Sequence, residues 1–79
     1  MEDKIVAFLE TLHANVDFRA EESLVENGII DSLDIVAIMH FVEDEFDFTF
    51  TEETLTVENL NSAKAIANLV DEGFEARGR

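Results

Sequence analysis

A chain of 79 residues with 19 acids against 5 bases, net −14, has room for one small domain, and its charge repels nucleic acid and anionic membranes while attracting basic proteins. It has no cysteine, which excludes a disulfide framework and a cysteine-based metal site. Hydrophobic residues make up 47% and recur periodically, which excludes disorder, and no apolar run approaches the ~20 residues of a membrane span.

The expected elements, in chain order, begin with a helix over residues 2–14. Ile5, Phe8, Leu9 and Leu12 form one apolar stripe, with Glu2 and Asp3 in the first turn where negative charge suits the helix dipole. His13 is expected at the exposed end of this helix. Residues 15–30 lack periodicity and read as a long connection pinned by Phe18, Leu24, Val25, Ile29 and Ile30, with Glu21, Glu22 and Glu26 solvated. Asn27-Gly28 is a turn signal, since both residues tolerate positive φ.

A second helix is expected over residues 32–46. Asp31 suits the N-cap, and Asp34 three residues later makes an aspartate version of the capping box. At ~100° per residue, Ile35, Ile38, Met39, Val42 and Phe46 share one face, the core face. Leu33, Val36, Ala37 and His40 share nearly the opposite face, continued by Glu43 and Asp44. So small a domain can hardly enclose a helix on both sides, so this second face is expected to be exposed for a partner.

Phe46 to Phe50 alternates with period two, but no second run could pair with it as a strand. We expect a connector that inserts Phe48 and Phe50 into the core. Thr56 to Leu60 reads as one helical turn capped by Thr56. A final helix follows, capped by Asn61 or Ser62, with Ala63, Ile66, Ala67, Val70 and Phe74 on its inner face. Gly73 is expected to weaken its last turn, and 75–79 to fray. The fold class is all-α: a single domain, 1–79, of three to four helices with a long loop between the first two.

Ser32 falls in the first turn of the second helix, where unpaired N–H groups and the dipole favour a phosphate. The run Gly28-Ile29-Ile30-Asp31-Ser32-Leu33-Asp34, followed by an apolar helix and Glu43-Asp44-Glu45-Phe46, resembles the acyl and peptidyl carrier proteins. The resemblance covers nearly the whole chain, and its specific part is about residues 24–60. It implies 4′-phosphopantetheine from coenzyme A on Ser32, framed by Asp31 and Leu33, with an acyl or aminoacyl group held as a thioester. It implies as partners a phosphopantetheinyl transferase, a loading enzyme and downstream transferases with basic docking surfaces. These would bind Leu33, Asp34, Val36, Ala37, His40, Glu43 and Asp44. A cytoplasmic monomer in fatty-acid or secondary-metabolite biosynthesis is expected, with neither nucleic acid nor membrane as partner. Where fatty-acid carriers usually place an acid and a methionine on the outward face, this chain has Ala37 and His40. Its Leu55–Ser62 stretch looks more like carriers of aminoacyl or specialised acyl groups.

Independent catalysis is not expected. His40 lies eight residues from Ser32 on one helix, ~12 Å in rise, too far to serve as its base. An EF-hand loop starting at Asp44 would place Phe46 and Phe48 at ligand positions. The alternative to a carrier is an acidic helical adaptor that binds basic proteins without a prosthetic group.

Between Arg19 and Lys64 twelve acids occur without a single Lys or Arg. Self-repulsion opposes folding, and salt screens it beyond a Debye length of ~8 Å at physiological ionic strength. The melting temperature should therefore rise with added salt and rise further with millimolar Mg²⁺. A melting temperature unmoved by both would show that the charges are compensated locally.

Overall fold

A computed structural model describes residues 1–77, and their side chains as far as Gly73. Four helices, α1 (Glu2–Leu12), α2 (Ser32–Phe46), α3 (Val57–Leu60) and α4 (Ala63–Arg77), account for the regular structure among the described residues. α1 packs on α2 and α4, and α3 packs on α4. The radius of gyration is 11.8 Å, against about 11.6 Å expected for a folded chain of this length.

α1 buries Ile5, Val6 and Leu9, so Val6 joins the expected stripe while Phe8 and Leu12 lie half-buried at its edges. The helix ends at Leu12, two residues before the expected boundary. His13 is extended, at φ −144° and ψ 93°, with its N–H closing the last turn on Leu9 O. α1 and α2 run antiparallel, as three contacts along their length show. Lys4 meets Glu45 at 2.9 Å, Phe8 stacks on Phe41 with centroids 4.3 Å apart, and His13 meets Asp34 at 2.7 Å. Phe41 belongs to neither stripe of α2; it is half-buried between Phe8 across this crossing and the Phe46 ring, which meets it edge to face at 6.0 Å.

No α-helix interrupts residues 13–31. This connection turns at Ser23–Ile30, where Asn27 N–H bonds Ser23 O at 2.8 Å and Ile29 N–H bonds Leu24 O at 2.9 Å. Gly28, at φ 68°, supplies the left-handed residue that this turn requires. Phe18, Leu24 and Ile30 are buried and Val25 and Ile29 partly so, as the anchor pattern predicts. Arg19 ties the connection to the first turn of α1 through Asp3 at 2.8 Å.

Apolar anchors alone do not fix the register of a chain lacking its own ladder of hydrogen bonds. Asn61 supplies it. Its carbonyl oxygen accepts from Leu24 N–H at 2.8 Å, and its side-chain oxygen accepts from Val25 and Glu26 N–H at 3.0 and 3.3 Å. Its amide nitrogen donates to Glu26 Oε1 at 2.6 Å. Glu26, expected as a solvated acid, is thus engaged. The cap of α4 falls to Ser62, whose Oγ accepts from Ala65 N–H at 3.0 Å.

Phe48 and Phe50 are buried, edge to face at 5.0 Å, in a connector without strand. Thr56 caps α3 through Asn59 N–H at 3.2 Å. Ala63, Ile66, Ala67 and Val70 line the inner face of α4, joined by Leu69. Gly73 has a packing role that the sequence did not disclose. A Cβ there would stand 2.7 Å from the Phe48 ring, so the missing side chain admits the aromatic. The backbone of α4 continues to Arg77; the side chain of Phe74 and residues 78–79 of the expected frayed tail lie outside the described residues.

Asn61→Ala should cost ~2–4 kcal/mol in denaturant unfolding, because it strands the N–H groups of Val25 and Glu26. Asn61→Asp keeps the acceptor but sets a second carboxylate against Glu26, so it should also destabilise, and less so at low pH. A loss under ~0.5 kcal/mol for both would show that water replaces the amide.

Candidate functional site

The sequence-predicted start of α2 is built as a complete capping box. Asp31, extended at φ −108°, accepts on Oδ1 from Asp34 N–H at 2.9 Å. Asp34 Oδ2 accepts in return from Asp31 N–H at 3.1 Å. Ile35 N–H closes the first turn on Asp31 O at 2.9 Å. The N–H groups of Ser32 and Leu33 are left without intrahelical partners, as the first positions of any helix are. Ser32 is exposed, and no hydrogen bond within the described residues engages its hydroxyl. The box thus fixes the backbone on both sides of a free serine hydroxyl.

His13 completes the arrangement. Its Nε2 lies 2.7 Å from Asp34 Oδ2, the same oxygen that holds Asp31 N–H. The expectation of a plain helix-end surface residue is corrected here: the side chain is 37% exposed while Asp34 is only 16% exposed. Burial pushes the Asp34 carboxyl upward, but hydrogen bonds from His13 and from the Asp31 backbone outweigh it, and the net shift is downward. This contact spans 21 positions, so no local pattern signals it.

The outward face of α2 lies open at its N-terminal end, with Leu33 80% and Val36 48% exposed. His40 and Asp44 are exposed and Ala37 partly so. Two of the acids assigned to this face are occupied within the chain. Asp34 serves the cap and His13, and Glu43 Oε2 accepts from Phe50 N–H at 3.0 Å, steering the aromatic connector. Asp44 remains as the exposed acid beside the apolar residues. On the flank toward α1, an open groove of about 370 Å³ is lined by Lys4, Ala7, Phe8, Thr11, Phe41 and Glu45. Its polar groups are already satisfied, Thr11 Oγ1 by Phe8 O at 2.6 Å and Lys4 by Glu45. The groove therefore widens the apolar surface of α2.

Among the described residues no cluster of three or more His, Asp or Glu is placed to hold a metal ion, and no helix is long and apolar enough to cross a membrane. Comparison of the chain with protein-family models, with curated proteins and with solved structures gives no match.

A carboxyl depressed by folding stabilises the fold above its unfolded value, near 3.8 for aspartate, and that contribution is lost as pH falls through the folded value. Removal of the imidazole leaves burial opposed by fewer hydrogen bonds. In His13→Ala the Asp34 carboxyl, followed by NMR, should titrate at higher pH than in the unaltered protein. An unchanged Asp34 titration would show that the Asp31 backbone alone sets it.

Proposed function

We propose that this chain is a non-catalytic carrier protein whose Ser32 receives 4′-phosphopantetheine from coenzyme A through a separate transferase. The observation that carries the reading is the free, exposed hydroxyl of Ser32 at the first residue of a boxed helix, within the frame Asp31-Ser32-Leu33. The residues fit the group: the hydroxyl has no competing bond, and the N–H groups of Ser32 and Leu33 with the helix dipole favour a phosphate. In the transfer, Ser32 Oγ becomes the phosphodiester oxygen, adenosine 3′,5′-bisphosphate leaves, and the hydroxyl proton passes to a base of the transferase. When bound, the group supplies a thiol on a flexible arm, able to hold an acyl or aminoacyl cargo as a thioester.

The chain's own residues present that arm. The capping box holds Ser32 at one end of the outward face, so an enzyme seated on Leu33, Val36, Ala37 and His40 meets the arm at its root. Asp44 and the general acid excess draw in loading enzymes and transferases with basic rims, chiefly by raising the rate of encounter, while the apolar residues slow release. Tethering then raises the effective concentration of cargo. The resemblance of Leu55–Ser62 to carriers of aminoacyl or specialised acyl groups, with Ala37 and His40 departing from the fatty-acid carrier pattern, supports an aminoacyl or specialised acyl cargo, and the setting is biosynthetic and cytoplasmic.

Incubation with coenzyme A and a broad-specificity phosphopantetheinyl transferase should add one phosphopantetheinyl group by intact mass, located at Ser32. Ser32→Ala should fold normally and gain nothing. Val36→Asp should keep its circular dichroism and stability within ~0.5 kcal/mol, as exposed substitutions do, while loading slows roughly tenfold through lost docking energy. No mass gain, or a label at Ser23 or Ser62, would overturn the carrier reading in favour of an acidic adaptor.

A further inference from the structure

We propose that His13 is the counter-charge for an anionic group carried on Ser32, so that protonation of His13 and attachment at Ser32 favour one another. The inference rests on the carrier reading for the identity of the group, but its physics needs only an anion at that residue. The first turn of α2 already holds two carboxylates, Asp31 and Asp34, in one hydrogen-bonded box. A phosphodiester on Ser32 adds a third negative charge within that turn.

The bases that could offset it are few. Lys4 is held by Glu45 and Arg19 by Asp3, and no Lys or Arg lies between Arg19 and Lys64. Among the described residues, the one ion pair with the box is that of His13, 2.7 Å from Asp34. Asp34 contacts His13 directly and is bonded in turn to Asp31, and the nearest ionisable neighbours of His13 along the chain, Glu10 and Asp17, are acidic as well. A neutral imidazole protonated on Nε2 can still donate to Asp34, so the contact itself survives deprotonation. What the added anion changes is the balance between the two charge states, and by linkage a proton on His13 favours the anion equally.

The imidazole ring protons of His13 and His40 can be titrated by NMR in three forms: unmodified, labelled at Ser32 from coenzyme A, and Ser32→Glu. His13 should titrate higher by about half a unit in the second and third forms, a shift of the order expected of one added charge in the same helical turn in a high dielectric. His40, ~12 Å farther along α2 by helical rise, should move less. His13→Gln keeps a donor without the charge. In that background the effect of Ser32→Glu on melting temperature should no longer differ between pH 5 and pH 8. An unmoved His13 in Ser32→Glu, or equal shifts at both histidines, would overturn the inference. Failure of coenzyme A to label Ser32 would overturn the carrier reading instead, and Ser32→Glu would still decide the role of His13.

Discussion

The structure depends on one constraint above others, the registration of a non-helical connection against a small helical core. Residues 13–31 bury Phe18, Leu24 and Ile30, but apolar contact is non-directional and would tolerate sliding. Buried Asn61 removes that freedom by engaging Leu24 through its backbone carbonyl and Val25 and Glu26 through its side-chain amide. The connection then delivers the chain to Asp31 in a fixed position, from which α2 starts. No buried side-chain polar atom among the described residues lacks a partner, so specificity here is obtained without an unsatisfied group.

The beginning of α2 repeats the principle at smaller scale. Asp34 Oδ2 holds both the Asp31 backbone and His13, so one carboxylate joins the helix cap to the end of α1. Ser32 sits inside that arrangement without taking part in it. Its hydroxyl is exposed, on a backbone held on both sides by the box. The exposure of Leu33 and Val36 next to it extends the same economy: the face is free because two sides of one helix cannot both be covered in a bundle of this size.

The acidic surface is partly structural. Glu26, Asp34 and Glu43 each accept a hydrogen bond from elsewhere in the chain, and Asp3 and Glu45 hold Arg19 and Lys4. The Asp3 carboxyl is lowered by its hydrogen bond from Arg19. The excess that remains is solvated, repels itself, and forms the long-range field that a basic partner would meet.

Where the determining signal was local, the sequence was sufficient. The limits of α2 follow from Asp31 and Asp34 at one end and from the loss of period after Phe46 at the other, where Asp47 takes the left-handed conformation at φ 51°. The cap of α3, the turn at Gly28 and the burial of Phe48 and Phe50 follow from spacing and residue chemistry in the same way, whereas for α4 the sequence offered both Asn61 and Ser62 and the structure chose Ser62. The capping box around Ser32 was legible because it is written within four consecutive residues. What the tertiary structure decided lies between residues far apart in the chain. Asn61 looked like a possible cap and became the clamp on residues 24–26; His13 looked like a helix-end surface residue and became a partner of Asp34. Gly73 looked like a weak point in α4 and proved to be the space for Phe48. Each of these roles depends on a second residue brought near by folding, and periodicity in one segment carries no information about that neighbour.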